Sequence, residues 1–191
     1  METHEQALRK LRRYLYVYIG ETSRGDLGMF AAKPFRSGEE IVIDEVDYYK
    51  NVCSYRETVS LGHGLQQTLQ VDIDAFKLSN GCIDDFTNHS CEPNTGIRLT
   101  GQGAIIVAIR DVLPHDELTY DYSTYLNNPF ELMECHCGTP SCRRLIGNFK
   151  NLPSDLQRRY RELAVVGAFV DDPTPGAAQY QRHELGAKAT V

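Results

Sequence analysis

Three cysteines, Cys135, Cys137 and Cys142, fall within eight positions with the spacing C-x-C-x4-C. Thiols gathered this closely serve as metal ligands, and a closed structural zinc site takes four donors. Six cysteines occur in all, the others being Cys53, Cys82 and Cys91. The first residues, Met1-Glu2-Thr3-His4-Glu5, are too polar for a secretory leader, so metal binding is expected rather than disulfides. Two other runs carry reactive side chains. Phe86-Thr87-Asn88-His89-Ser90-Cys91-Glu92-Pro93-Asn94 sets polar groups and a thiol just before a proline, the composition of a tight turn. Glu117-Leu118-Thr119-Tyr120-Asp121-Tyr122 reads as a short strand ending on two tyrosines.

Something must hold these three segments in place. The 191 residues suffice for one domain with a single core, and 41% apolar content is ordinary for a globular chain. No apolar run reaches the ~20 residues that span a bilayer. The period-2 pattern predicts strands over 14–19, with Leu15, Val17 and Ile19 on one face, and over 41–43, 68–73 and 104–109. Gly and Pro punctuate these runs at short intervals, so the fold class expected is mainly β. Residues 44–80 are weakly patterned, with a helical turn expected around Asp74 to Leu78. One clear helix is expected late, from a capping box of Ser154 and Gln157 to about Val166. A short helix or lead-in is expected over 1–11, and a flexible tail over 171–191, with its Pro173-Thr174-Pro175-Gly176 stretch.

Taken in order, N-H-S-C-x-P-N, E-L-T-Y-D-Y and the cysteine cluster resemble the SET-domain protein-lysine methyltransferases with a post-SET zinc motif, over roughly residues 12–147. Arg24-Gly25-Asp26-Leu27-Gly28-Met29-Phe30-Ala31 resembles the G-x-G cofactor loop of that family, with Asp26 where the first glycine usually stands. A left-handed backbone at Asp26 is the geometry this substitution would have to accept. Asp85 likewise stands where a basic residue is common. The resemblance implies a SET domain over 12–126, with 44–80 as its variable insert, a post-SET segment over 127–149 and a C-terminal helix within 150–170. It also implies several small curved sheets and a pseudoknot formed by the E-L-T-Y-D-Y run.

The implied reaction moves a methyl group from S-adenosylmethionine to a lysine ε-amine. Only about one lysine in 10³ is neutral at pH 7, so an apolar channel must help strip its proton. By resemblance Tyr122 orients amine and methyl group, and Tyr120 sits at the family's Phe/Tyr switch, where a hydroxyl favours mono- or dimethylation. Leu27, Gly28 and Met29 would meet the cofactor through backbone, Asn88 through its side chain and His89 mainly through backbone, while Phe149 would either cover the adenine or pack as a plain core residue. Cys91 would join Cys135, Cys137 and Cys142 as the fourth zinc ligand. Ser90 and Asn94 read as turn-formers, and Cys53 and Cys82 as core or free thiols.

The net charge of −6 disfavours nucleic-acid binding, and the cluster Arg9, Lys10, Arg12, Arg13 reads as a solvated face. A protein substrate with an exposed lysine is expected, a histone tail or another basic protein, with no membrane partner. The chain resembles the small stand-alone members of the family found in microbes, which implies a cytoplasmic protein, or a nuclear one if the source is eukaryotic or the protein is a secreted effector. A SET-like binding module without turnover is the alternative; a zinc-ribbon protein would leave the other two motifs unused.

Overall fold

The computed structural model describes residues 15–44, 48–81, 83–127 and 132–171. The expected lead-in, the basic cluster, Cys82 and the tail beyond 171 lie outside the described residues. Two antiparallel strands open the fold, β1 (Val17–Glu21) and β2 (Leu27–Ala31), in register from Val17 opposite Ala31 to Glu21 opposite Leu27. Their loop turns on Gly25, whose φ of +85° only glycine adopts cheaply. The left-handed residue is therefore Gly25 and not Asp26, which departs from expectation. Asp26 instead receives the Thr22 hydroxyl on its carboxylate, and its carbonyl accepts the Thr22 N–H at 2.8 Å.

Alternation misjudged β1 in one respect. Val17 is buried, but Leu15 and Ile19 are exposed, because this hairpin packs only its inner edge on the core. Later strands follow expectation more closely. β3 (Glu40–Asp44) pairs with β9 (Ala104–Ala108), which also pairs with β8 (Thr95–Leu99). Being central, β9 is apolar along its whole length.

The weakly patterned stretch is more ordered than its sequence suggests. β4 (Val52–Cys53) is followed by α1 (Tyr55–Ser60), then by the hairpin of β5 (Thr68–Asp72) and β6 (Ala75–Leu78). The helical turn expected at 74–78 is thus a strand, since Phe76 and Leu78 pair with Gln70 and Thr68. A capping box starts α1: Ser54 accepts the Glu57 N–H while the Glu57 carboxylate accepts the Ser54 N–H at 2.8 Å.

β7 (Asn88–His89) and β10 (Thr119–Tyr120) form a parallel pair, and β11 (Met133–Glu134) pairs antiparallel with β12 (Leu145–Ile146). The late helix is α2 (Ser154–Glu162). Its capping box does not form. Pro153 is the cap residue, so Ser154 is already inside the helix, and the Gln157 amide donates back to the Lys150 and Leu152 carbonyls. The helix also stops short of Val166, because Leu163 caps it and Ala164 turns left-handed at φ +52°.

Met29, Ile41, Val71, Ile97, Ile106 and Leu118 centre the main core, and each buried side chain of this size contributes roughly 1.5–3 kcal/mol. A second cluster under α2 joins Val107 and Ile109 to Phe149, Leu152, Tyr160 and Val165. Gly96 on β8 makes that contact possible, since a Cβ there would lie 2.5 Å from a Val165 methyl. No helix among the described residues is long and apolar enough to cross a membrane.

Candidate functional site

The two polar runs meet along β7 and β10. Beyond the strand pair, Ser90 N–H donates to the Tyr120 carbonyl at 3.1 Å. The buried Asn94 side chain bridges the segments, its amide donating to the Glu117 carbonyl at 2.8 Å and its oxygen accepting the Thr119 N–H at 2.9 Å. Asn94 is thus a lock between segments as well as a turn residue. Ser90 fits the turn-forming expectation, accepting the Glu92 N–H at 3.1 Å.

This pairing delivers Tyr120 and Tyr122 side by side, with ring centroids 4.7 Å apart. The Tyr122 hydroxyl donates to the Thr87 carbonyl at 3.2 Å. Burial raises its pKa well above the ordinary tyrosine value, although Arg24 pulls the other way, so the hydroxyl stays protonated at physiological pH. Burial likewise raises Tyr120. Both rings line two small cavities. One, of 40 Å³, adds Thr68, Leu69, Asp85 and Thr87; the other, of 20 Å³, adds Leu65, Phe76 and Met133. The sequence patterns did not indicate Leu65, Thr68, Leu69 or Phe76 as wall residues, because a β5–β6 hairpin had to be recognised first.

His89 stands behind the tyrosines. Its Nδ1 accepts the Tyr122 N–H at 3.2 Å, which assigns the ring proton to Nε2, 3.4 Å from Cys91 Sγ. Burial pushes its pKa down to about 4, outweighing the Asp121 carboxylate 3.7 Å away, so the ring is neutral and that contact is no ion pair.

The four expected metal ligands converge. Sulfur atoms of Cys91, Cys135, Cys137 and Cys142 all lie within 4.8 Å of one another. Cys91 to Cys135 and Cys142 to Cys135 are both 3.7 Å. Thiolates ~2.3 Å from a tetrahedral zinc sit about 3.8 Å apart, so the donors fit that ion. Cys53 is elsewhere, its thiol 3.2 Å from the Thr58 hydroxyl.

The β1–β2 loop reaches the same region. Asn88 Nδ2 donates to the Leu27 carbonyl and to Glu117 Oε1, each at 2.9 Å, and Arg24 lies 3.6 Å from both Glu117 and Asp26. Thr22, Glu117 and Asn88 ring the Gly28 backbone so closely that a Cβ would approach Thr22 Cγ2 to 2.8 Å and Glu117 Oε1 to 2.9 Å. A bare backbone edged by an amide and a carboxylate suits a ligand with an amino-acid end. Leu27 is exposed there, whereas the Met29 side chain is core and only its backbone faces this segment, accepting the Leu118 N–H at 2.7 Å. Phe149 does not join the site. Its ring is 1% exposed in the second core cluster, under the Arg161 guanidinium, because the turn after β12 directs it beneath α2.

Asp85 finds its charge partner in Lys77 Nζ at 2.9 Å and also accepts the N–H groups of Asn80 and Gly81. The acid at 85 is thus balanced by a base on β6, on the wall of the larger cavity.

A small-sheet fold of this kind, with two interlocked signature segments beside a four-thiol cluster, defines the class. Residues 26–123, slightly more than half of the chain, match the SET domain family, and the chain belongs to it. Putative histone-lysine N-methyltransferase 1 of Plasmodium falciparum is 27% identical over 67% of this chain and 2% of its own length. Histone-lysine N-methyltransferase ATX2 of Arabidopsis thaliana is 31% identical over 68% of this chain and 13% of its own length. Drosophila melanogaster ash1, also a histone-lysine N-methyltransferase, is 40% identical over 39% of this chain and 4% of its own. The chain therefore spans only a small fraction of these relatives. Among solved structures, KRYPTONITE bound to mCHH DNA, an H3(1–15) peptide and SAH shares the fold with a TM-score of 0.50, at 19% identity over 68% of this chain and 29% of that one.

Proposed function

We propose that this protein is an S-adenosylmethionine-dependent protein-lysine N-methyltransferase. The observation that carries the reading is the Tyr120–Tyr122 pair, both rings on one cavity wall and the Tyr122 hydroxyl fixed on the Thr87 carbonyl. S-adenosylmethionine supplies an electrophilic methyl group on a positively charged sulfur. Asn88 and the Gly28 backbone would bind its amino-acid end, for the Asn88 amide oxygen accepts no hydrogen bond among the described residues and suits an amino group. An apolar wall of Leu65, Leu69 and Phe76 disfavours the ammonium form of an entering lysine, and the sulfonium pushes the same way. The protonated Tyr122 hydroxyl orients and polarises; it is not the base.

Zinc in the four-thiol site would pin the 132–149 segment against the N-H-S-C turn and so build one side of the channel. Tyr120 lines both small cavities, and we read mono- or dimethylation from a tyrosine at this position. A basic protein, with a histone tail first among candidates, is the substrate class, supported by the names of the relatives and by the H3 peptide in one neighbour. The cytoplasm or nucleus is the compartment consistent with this reading.

Incubation with labelled S-adenosylmethionine and a mixture of basic proteins tests it. Label transferred to lysine, and lost in Tyr122→Phe, is the expected outcome. Cofactor binding without any transfer would make the protein a binding module instead.

A further inference from the structure

Asp121 separates the two channel tyrosines in sequence, and its carboxylate is buried. Oδ1 accepts from Arg143 Nη2 at 2.7 Å and from the Ser123 N–H at 3.1 Å. Oδ2 accepts from the Tyr160 hydroxyl at 3.1 Å. Arg143 directly follows the last cysteine of the cluster, and Tyr160 lies on α2, outside the span that matches the SET family. A second set of contacts returns to the same place. The Arg143 N–H and His89 Nε2 each lie 3.4 Å from Cys91 Sγ, and His89 Nδ1 accepts the Tyr122 N–H. Cys91, His89, Tyr122, Asp121 and Arg143 therefore close into a ring, to which α2 is tied by the Tyr160 hydroxyl.

A buried carboxylate holds its place only while its donors hold theirs, because each unmet hydrogen bond costs the full desolvation of the group. Any shift of Asp121 is passed to the residues on either side of it, and those are the two channel tyrosines. We propose that Asp121 is a positioning residue for Tyr120 and Tyr122, and that Arg143 and Tyr160, acting through it, make the cysteine segment and α2 part of the methyl-transfer machinery. The proposal rests on the methyltransferase reading above.

Asp121→Asn and Tyr160→Phe, made in the full zinc-loaded chain, test it. Asp121→Asn should lower kcat about 100-fold, the scale of a ~1 Å misplacement, and Tyr160→Phe about fivefold, the scale of one lost hydrogen bond. Both should keep the peptide KM within about twofold, retain zinc, and alter the ratio of mono- to dimethyl product. If Asp121→Asn does not fold, Tyr160→Phe, which deletes a single oxygen, carries the test alone. A Tyr160→Phe protein with a lower melting temperature but unchanged kcat and product ratio would overturn the proposal, leaving only a structural role. Should the wild type transfer no methyl group, the function reading fails, and the positioning claim is still read without turnover. In that case the 19F resonances of 3-fluorotyrosine at 120 and 122, assigned by their loss in the Phe variants, must move in Tyr160→Phe. Unmoved resonances would sink it.

Discussion

Tyr122 is held at two points: its hydroxyl donates to the Thr87 carbonyl at 3.2 Å, and its backbone N–H donates to His89 Nδ1 at 3.2 Å. Both contacts come from the 87–89 segment, so the aim of the ring depends on residues other than the tyrosine itself.

Removing the hydroxyl should cost turnover more than binding. Tyr122→Phe is expected to lower kcat about 10²-fold, the scale of one preorganised donor, with little change in KM for S-adenosylmethionine. Steady-state kinetics with a saturating peptide checks it, and a proportional rise in KM would point to a binding role.

Tyr120 should limit methyl number. It is 7% exposed, its ring lies 4.7 Å from that of Tyr122, and both rings line the same small cavities, so in the proposed reading its hydroxyl is the group that crowds an added methyl. Tyr120→Phe is expected to move products toward di- and trimethyllysine in mass spectra. A trimethyl product from the wild type would contradict the assignment.

The thiol cluster should carry one zinc and much of the stability of the 132–149 segment. Chelation, or Cys135→Ser, is expected to remove the metal and lower the melting temperature by about 10 °C, several kcal/mol at ~2–4 °C each. Elemental analysis and calorimetry decide the point. Cys53→Ser, remote from the cluster, should leave metal content unchanged.

Lys77 is buried at 2% side-chain exposure and depends on its acids. Asp85→Ala removes the shorter of its two carboxylate contacts, leaving Asp84 at 3.6 Å and the Tyr48 ring at 4.7 Å among its partners, and strips acceptors from the Asn80 and Gly81 N–H groups. A loss of about 2 kcal/mol is expected in urea denaturation, less than for a fully broken buried pair. Adding Lys77→Met should recover part of it, since the two effects are coupled.

How much of this was legible beforehand varies from residue to residue. Cys135, Cys137 and Cys142 declare themselves by spacing, and Cys91 by its place in a recognisable run. The Ser54/Glu57 capping box of α1 was also there to be read, yet weak periodicity around it hid the helix. By contrast, Ser154 and Gln157 have capping spacing without capping, because Pro153 took the cap position. Phe149 shows the same limit: an aromatic after a zinc motif reads equally as a cofactor cover or a core residue, and only the turn after β12, which sends it under α2, decides for the core.

Sequence by itself determined the chemistry available: four thiols, two tyrosines one residue apart, an asparagine–histidine pair and a glycine-bearing loop. These are local facts, set by residue type and short spacing. Only the tertiary structure decided that Asp121 would be bound by Arg143 and Tyr160, that Lys77 would answer Asp85, and that β5 would wall the tyrosine cavity. Those contacts join residues from 8 to 39 positions apart or more, beyond what a local motif shows, and they follow from burial, which favours pairing an enclosed charge or hydroxyl with whichever partner packing brings within reach.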